Sequence, residues 1–357
     1  MHVVYYVTGH GFGHGVRTAA ICNAFNPGVR ITFRTSLPKN FFREEICRPF
    51  DYRAASFDCG CVQNDFISID KEKTLAGYRA IAEENESKLA DETAWCKAHH
   101  ADVIVSDITP FAFEIASHAG IPSVGVSNFT WFDIYEEYLA LLPEYAADVA
   151  SIREQYARAT LMCALSPAPP MPYFPHLKNI SAMIGRSGRD RRKEIVKRYA
   201  LDPAKHLGLI YFGNYGVNDV DFDALRKFSD WEFIGVCKLS GNAPNYRCIS
   251  KTDFLYQDLV ASADVMICKL GYGAASECML HGTPLVYLPR SDFAEFPLLD
   301  AAARAWGGGH LLSTGGFLSL DWQSVLDAII KSGPPKAVLP GGARLCAEAI
   351  EQAARGL

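Results

Sequence analysis

The sequence predicts an α/β protein of two domains, each built from parallel βαβ units. Three observations carry this. The chain has 357 residues, about two domains at a prior of roughly 150 residues each. Short apolar runs alternate with helical stretches along most of its length, the pattern of strands joined by crossover helices. Five prolines fall within residues 166–175, where neither a helix nor a central strand can continue, because each proline lacks a donor and fixes φ.

In order, strands are expected over residues 3–7, 29–33, 103–106, 123–126 and 161–165, then over 207–212, 232–236, 265–268, 285–288 and 310–312. Helices are expected over 71–96, with charges along one side, and over 111–119. An amphipathic helix over 343–355 closes the chain. The expected boundaries follow: an N-terminal domain over 1–165, a linker over 166–185, a second domain over 186–340 and a closing segment over 341–357. Ligands of parallel sheets sit beyond the carboxyl ends of the strands. Two such halves imply a cleft, with glycine-rich turns on both sides.

Composition removes several classes. Hydrophobic residues at 49% and charged residues at 21% exclude disordered and fibrous chains. Lys and Arg total 35 against 40 Asp and Glu, a formal charge of −5, so the bulk footprint of a nucleic-acid binder is missing. No apolar run approaches the roughly 20 residues that span a bilayer. The N-terminus lacks the basic start and small-residue cleavage site of a signal peptide. The 11 cysteines are an odd number with no CxxC pair, which indicates neither a disulfide framework nor a zinc site. A cytoplasmic protein is expected. The basic run over 185–193 reads as a solvated helix start; no apolar stripe accompanies it, so membrane contact is not expected.

Chemistry concentrates at two turns. Thr8-Gly9-His10-Gly11-Phe12-Gly13-His14-Gly15 follows the first strand and opens the first helix. It fails the G-x-G-x-x-G dinucleotide fingerprint, and no Gly-Lys-Ser/Thr follows to make a P-loop. His10 and His14 are four apart with no Glu between them, which disfavours a metal. They either bond locally at the helix start or supply a general base near neutral pH. Asp107 ends the third expected strand of the first half. It is either a helix N-cap or the carboxylate that orients such a base. Asn128 and Trp131 open an aromatic-rich stretch suited to an acceptor wall or to core packing. Gln63, Asn64 and Asp65 form a polar loop that could also reach an acceptor.

In the second half, Gly213-Asn214 begins a turn whose amides could bind phosphate. Lys269 stands before Gly271-Tyr272-Gly273-Ala274, a small-residue entry to a helix whose free amides attract an anion. Glu277 would accept ribose hydroxyls or favour the helix dipole, and Glu295 follows the next strand. Diphosphate at a helix end, a carboxylate for ribose and a base on the other half describe a nucleotide-sugar transferase.

These residues resemble the GT-B glycosyltransferases, in which two Rossmann-like domains face one another. Gly11-Phe12-Gly13-His14 resembles the GxGH turn of the N-acetylglucosaminyltransferases that make lipid II, and the QGH turn of plant UDP-glycosyltransferases. The resemblance implies His14 as base and Asp107 as its partner, with His10, Gly11, Phe12, Gly13, Asn128 and Trp131 on the acceptor side. Gly271 to Glu277 keeps the spacing of the plant HCGWNSxxE box, with Lys269 where that box has its phosphate-binding histidine. Gly273 and Ala274 replace its Asn and Ser, which leaves phosphate contact to backbone amides. Phe254 and Leu255 occupy the segment that holds the nucleobase, and Glu295 falls near the pair that holds the donor sugar.

Longer stretches, among them residues 6–14, 62–65, 127–131 and 269–273, resemble the N-terminal region of plant L-arabinokinases and its stand-alone bacterial relatives. Kinase activity there resides in a GHMP domain with its own glycine/serine-rich loop. No such loop occurs in these 357 residues, so kinase activity is not expected of them. The expected function is an inverting, metal-independent glycosyltransferase with no required cofactor. It would take a nucleotide-sugar co-substrate, a UDP-sugar by preference, and a small-molecule acceptor. The alternatives are a nucleotide-sugar epimerase or hydrolase on the same fold, with His10 and Glu295 as further acid/base groups, and a non-catalytic sugar or nucleotide-sugar binding module.

Overall fold

The computed structural model describes residues 1–65, 67–213 and 220–357. The chain forms two units: residues 1–62, 69–184 and 340–357 make the first, and residues 63–68 and 185–339 the second.

The first unit is a parallel sheet of β1 (His2–Val7), β2 (Arg30–Thr35), β3 (Asp51–Ala54), β4 (Val103–Asp107), β5 (Ser123–Ser127), β6 (Leu161–Leu165) and β7 (Leu177–Ile180). Its connections carry α1 (Phe12–Ala24), α2 (Lys39–Glu45), α3 (Lys71–Ala98), α4 (Phe111–Ala119), α5 (Trp131–Tyr138) and α6 (Ala146–Ala157). Strands β1, β4 and β5 are buried at every position, which is why they read as unbroken apolar runs rather than alternating ones. Local chemistry sets the helix ends. Asp70 caps α3 by accepting from the amide of Lys73, and a Thr130–Asp133 capping box opens α5. Gly120, in the left-handed region, closes α4.

The strand order is β3-β2-β1-β4-β5-β6-β7. The chain winds outward from β1 to one edge, returns to lie beside β1 as β4, and winds to the other edge. The order therefore reverses between β1 and β4, the place where such sheets open a crevice at their carboxyl ends.

The second unit repeats the plan. Helices α7 (Arg192–Tyr199), α8 (Tyr256–Ser262), α9 (Tyr272–His281), α10 (Phe296–Trp306), α11 (Thr314–Leu318) and α12 (Gln323–Ser332) accompany a second sheet. Its strands are β8 (His206–Tyr211), β9 (Trp231–Gly235), β10 (Tyr246–Cys248), β11 (Val265–Cys268), β12 (Leu285–Tyr287) and β13 (Gly309–Leu311). They are parallel and ordered β10-β9-β8-β11-β12-β13, so this sheet reverses between β8 and β11. Phe228, Trp231, Phe233 and Trp322 centre its core, and Ile67, brought in by residues 63–68, packs against that core. The last helix, α13 (Gly342–Ala353), returns to the first unit. It buries Cys346, Ala347, Ala349 and Ile350, and its buried Glu351 accepts from the backbone amide of Asn26 at 2.8 Å.

Three strands lie outside the sequence expectation, and all are sheet edges. Strands β3, β7 and β10 are four, four and three residues long and mostly not buried. A solvent-facing edge strand is held by backbone pairing and needs no apolar run. Strand β7 lies within residues 166–185, the stretch expected as a linker. The prolines end at Pro175, ahead of the strand, and residues up to 184 belong to the first unit.

Candidate functional site

In the first unit the candidate residues gather where the strand order reverses. Gly11 is the N-cap of α1, so His14 stands in the first helical turn while His10 lies in the loop before it. Asp107 is the last residue of β4, in register with Val7 at the end of β1. The His14 ring meets it, Nδ1 to Oδ1, at 2.7 Å. Asp107 is wholly buried. Its neighbour Ile108 has φ +66, a costly conformation for a β-branched residue. The turn is held there because the Tyr156 hydroxyl donates to the Ile108 carbonyl and the Ser106 hydroxyl to the Thr109 carbonyl.

Sequence reasoning missed the third member of this group. Arg17 lies one turn beyond His14 on α1 and grips Asp107 with a fork, Nε to Oδ2 at 2.6 Å and Nη2 to Oδ1 at 2.5 Å. Burial pushes the Asp107 carboxyl up, but Arg17, aided by His14, holds it below the usual carboxylate range.

Asn128 and Trp131 differ from the acceptor-wall expectation. Asn128 is fully buried, and its Oδ1 accepts from Arg17 Nη1 at 2.8 Å. Trp131 is 1% exposed, with the His10 ring edge-on at 5.2 Å and the His14 ring at 6.4 Å. Trp131 packs against both histidine rings, and Asn128 bonds Arg17 rather than either ring. Phe12 is exposed, and a side chain begun at Gly11 or Gly13 would meet nothing within 4 Å, so that side of the turn is open.

His10 accepts at Nδ1 from the Cys61 amide at 3.2 Å, which puts its proton on Nε2 and makes that nitrogen a donor. Its ring lies over Gly60, which has φ +62; a Cβ there would fall 2.3 Å from Nδ1. A second buried carboxylate, Asp58, was also missed. It accepts from Thr8 at 2.5 Å and Thr109 at 2.6 Å, and burial pushes its carboxyl up despite these bonds. It lies between β3 and α3, where the sequence has no periodicity to place it.

The second unit gathers an anion-seeking group at its own reversal. Gly213 follows β8 with φ +75, and a Cβ built there would lie 3.5 Å from Cε of Lys269. Asn214 lies outside the described residues. Burial lowers the Lys269 amine to about 8, repulsion from Arg290 adds to this, and Glu295 opposes it. Arg290, not expected from sequence as a site residue, is buried, donates to the Leu270 carbonyl at 3.2 Å and lies 3.3 Å over the Phe293 ring. Gly271 caps α9 with no side-chain bond, and Tyr272, Gly273 and Ala274 form the first turn. Glu295 occupies the N-cap of α10.

Glu277 is buried in α9 and already held by Arg186, Nε to Oε1 at 2.6 Å and Nη2 to Oε2 at 3.4 Å. The Arg186 guanidinium lies 5.3 Å over Tyr256. The basic run over 185–193 is thus anchored rather than only solvated, with Arg192 bonded to both oxygens of Asp264 at 2.7 Å. Phe254 packs against Tyr199 and Arg191, whereas Leu255 is exposed. Asp65 closes its own turn by accepting from the Ile67 and Ser68 amides. Among the described residues no group of three or more His, Cys, Asp or Glu could hold a metal ion. Among them, too, no helix is long and apolar enough to cross a membrane.

No family model matches the chain. L-arabinokinase of Arabidopsis thaliana is 29% identical over 359 residues, covering 99% of this chain and 34% of that protein. The chain thus spans about a third of the length of the curated relative it matches. Similar solved structures include a UDP-glucosyltransferase from Polygonum tinctorium capable of glucosylating indoxyl, with TM-score 0.66, 13% identity and coverage of 99% of this chain and 98% of that one. MurG of Acinetobacter baumannii has TM-score 0.60 and 14% identity over 98% and 99% of the two chains. The glycosyltransferase VinC, solved with dTDP, has TM-score 0.61 and 14% identity over 100% and 96%. At these identities the likeness is one of fold, and the fold is GT-B: two Rossmann-like α/β units in one chain.

Proposed function

We propose that the chain is a glycosyltransferase that moves a sugar from a nucleotide-diphosphate sugar to an acceptor hydroxyl, with inversion and without a metal ion. The observation that carries this reading is the His14–Asp107 pair, an imidazole held by a buried, ionised carboxylate at the carboxyl end of a parallel sheet. His14 Nε2 takes the acceptor proton as the acceptor oxygen attacks the anomeric carbon. The bond from that carbon to the diphosphate oxygen breaks, and the diphosphate leaves with the electron pair. Asp107 compensates the imidazolium that forms. Lys269, Arg290 and the first-turn amides of α9 meet the charge developing on the leaving group, where preorganised donors act most strongly.

Glu277, oriented by Arg186, is the ribose ligand in this reading, and Phe254 and Leu255 flank the base. A UDP-sugar is the first donor to test, since the glucosyltransferase from Polygonum tinctorium is named for UDP. The cysteines are all free thiols, which suits a cytoplasmic setting.

Calorimetric titration with UDP, GDP, dTDP, ADP, CMP and their sugars tests the donor half. One diphosphate should bind, and Glu277→Ala should weaken it at least about tenfold, the effect of losing one good polar contact. In His14→Ala the dissociation constant should hold while transfer to an acceptor falls by about 10²–10⁴-fold. Failure of every diphosphate to bind, or undiminished turnover in His14→Ala, removes the reading.

A further inference from the structure

We propose that Arg17 is a positioning residue that sets the tautomer of His14, keeping the ring proton on Nδ1 and a bare lone pair on Nε2. The inference deepens, and rests on, the reading of His14 as the base.

Three atoms form a tight triangle: His14 Nδ1 to Asp107 Oδ1 is 2.7 Å, Arg17 Nη2 to the same oxygen 2.5 Å, and Arg17 Nη2 to His14 Nδ1 2.8 Å. Two proton patterns compete for it. With the ring proton on Nε2, Nδ1 must accept from Arg17, and its lone pair faces that of a carboxylate oxygen 2.7 Å away. With the proton on Nδ1, the ring donates to Asp107 and that repulsion is gone.

The hydrogens of Arg17 weigh on the same side. Nη2 carries two and meets three partners: Asp107 Oδ1 in the fork, whose other half is Nε to Oδ2 at 2.6 Å, the Ser127 hydroxyl at 3.0 Å and His14 Nδ1 at 2.8 Å. Nη1 turns to Asn128. With three partners for two hydrogens, Nδ1 has no Nη2 hydrogen to itself, and the carboxylate 2.7 Å away is the stronger partner for a ring N–H.

Arg17 also keeps the acceptor an acceptor. The charged or titratable groups facing Asp107 are Arg17 and His14 from α1 and Tyr5 from β1, and burial pushes the Tyr5 phenol far up, so it stays neutral. Thr18 adds a hydroxyl at 3.2 Å. Without the guanidinium, burial would protonate Asp107, and its new O–H would donate to Nδ1. The ring proton would then move to Nε2, and the lone pair needed for proton abstraction would face inward.

The test is a long-range ¹H–¹⁵N correlation on the full chain labelled at histidine, at mildly alkaline pH, with His14 assigned by its loss in His14→Gln. The wild type should show a protonated Nδ1 and an unprotonated Nε2. Arg17→Gln should exchange the two signals. Ser127→Ala frees one Nη2 hydrogen and should move part of the population to the Nε2–H form; it serves if Arg17→Gln does not fold. A wild-type ring with its proton on Nε2 overturns the proposal. So does an unchanged pattern in folded Arg17→Gln, or in Ser127→Ala. If the tautomer responds as expected but turnover survives in His14→Ala, the base reading fails while the role of Arg17 stands.

Discussion

Lys269 keeps its amine where an ammonium is poorly solvated and a second cation repels it, and both effects bring it down to about 8. In the proposed reading the charged form holds the diphosphate. Affinity should therefore be full at neutral pH and fall as pH rises through about 8, as the amine loses its proton. Calorimetric dissociation constants across that range read this directly. Lys269→Ala should flatten the profile. Arg290→Ala should move its midpoint upward by removing the repulsion, and an unmoved midpoint there would separate Arg290 from Lys269. At this scale the sequence was partly legible. His14 and Asp107 could be named as candidates because His14 lies in the glycine-rich turn after the first apolar run and Asp107 ends another, at the end of the sheet where ligands sit. Arg17 and Arg290 could not, because what matters about them is which buried carboxylate or amine they face. Asn128 reads as a polar residue beside aromatics, and only the fold shows that its oxygen accepts from Arg17.

At the scale of elements, strands buried on both faces and the helices expected over 71–96, 111–119 and 343–355 were legible, whereas three of the four edge strands, β3, β7 and β10, were not. Hydrophobic burial writes itself into sequence, whereas edge pairing is a backbone interaction that leaves little compositional trace. The helix ends also carry a removable strain. Ala200 caps α7 in the left-handed region, with φ 51 and an exposed side chain, where glycine is preferred. Ala200→Gly should stabilise the second unit by about 1 kcal/mol and raise its thermal midpoint by about 2–4 °C. A lower midpoint in differential scanning calorimetry would show that the left-handed alanine is not strained. Ile108 is the instructive contrast: its φ of +66 sits beside Asp107 and its side chain is buried, so the strain there accompanies the site.

At the scale of the whole molecule, each unit has its own sheet and core, and the first is discontinuous in sequence. Helix α13 completes it by burying an apolar face and by bonding Asn26 through Glu351. Removal of residues 340–357 should lower the transition of the first unit and leave that of the second in place, so that two separate calorimetric events appear. A single transition shifted as a whole would show that the units unfold together. The amino-acid sequence by itself determined the class of the protein, the alternation of buried strands and helices, and the two glycine-rich turns where ligand chemistry collects, because each is a local pattern of burial or backbone freedom. Tertiary structure alone decided that Arg17 completes the His14–Asp107 pair, that Arg186 holds Glu277, and that Lys269 and Arg290 share one buried site. Those are contacts between residues up to about 90 positions apart, and their energies depend on distance and desolvation, which no spacing along the chain encodes.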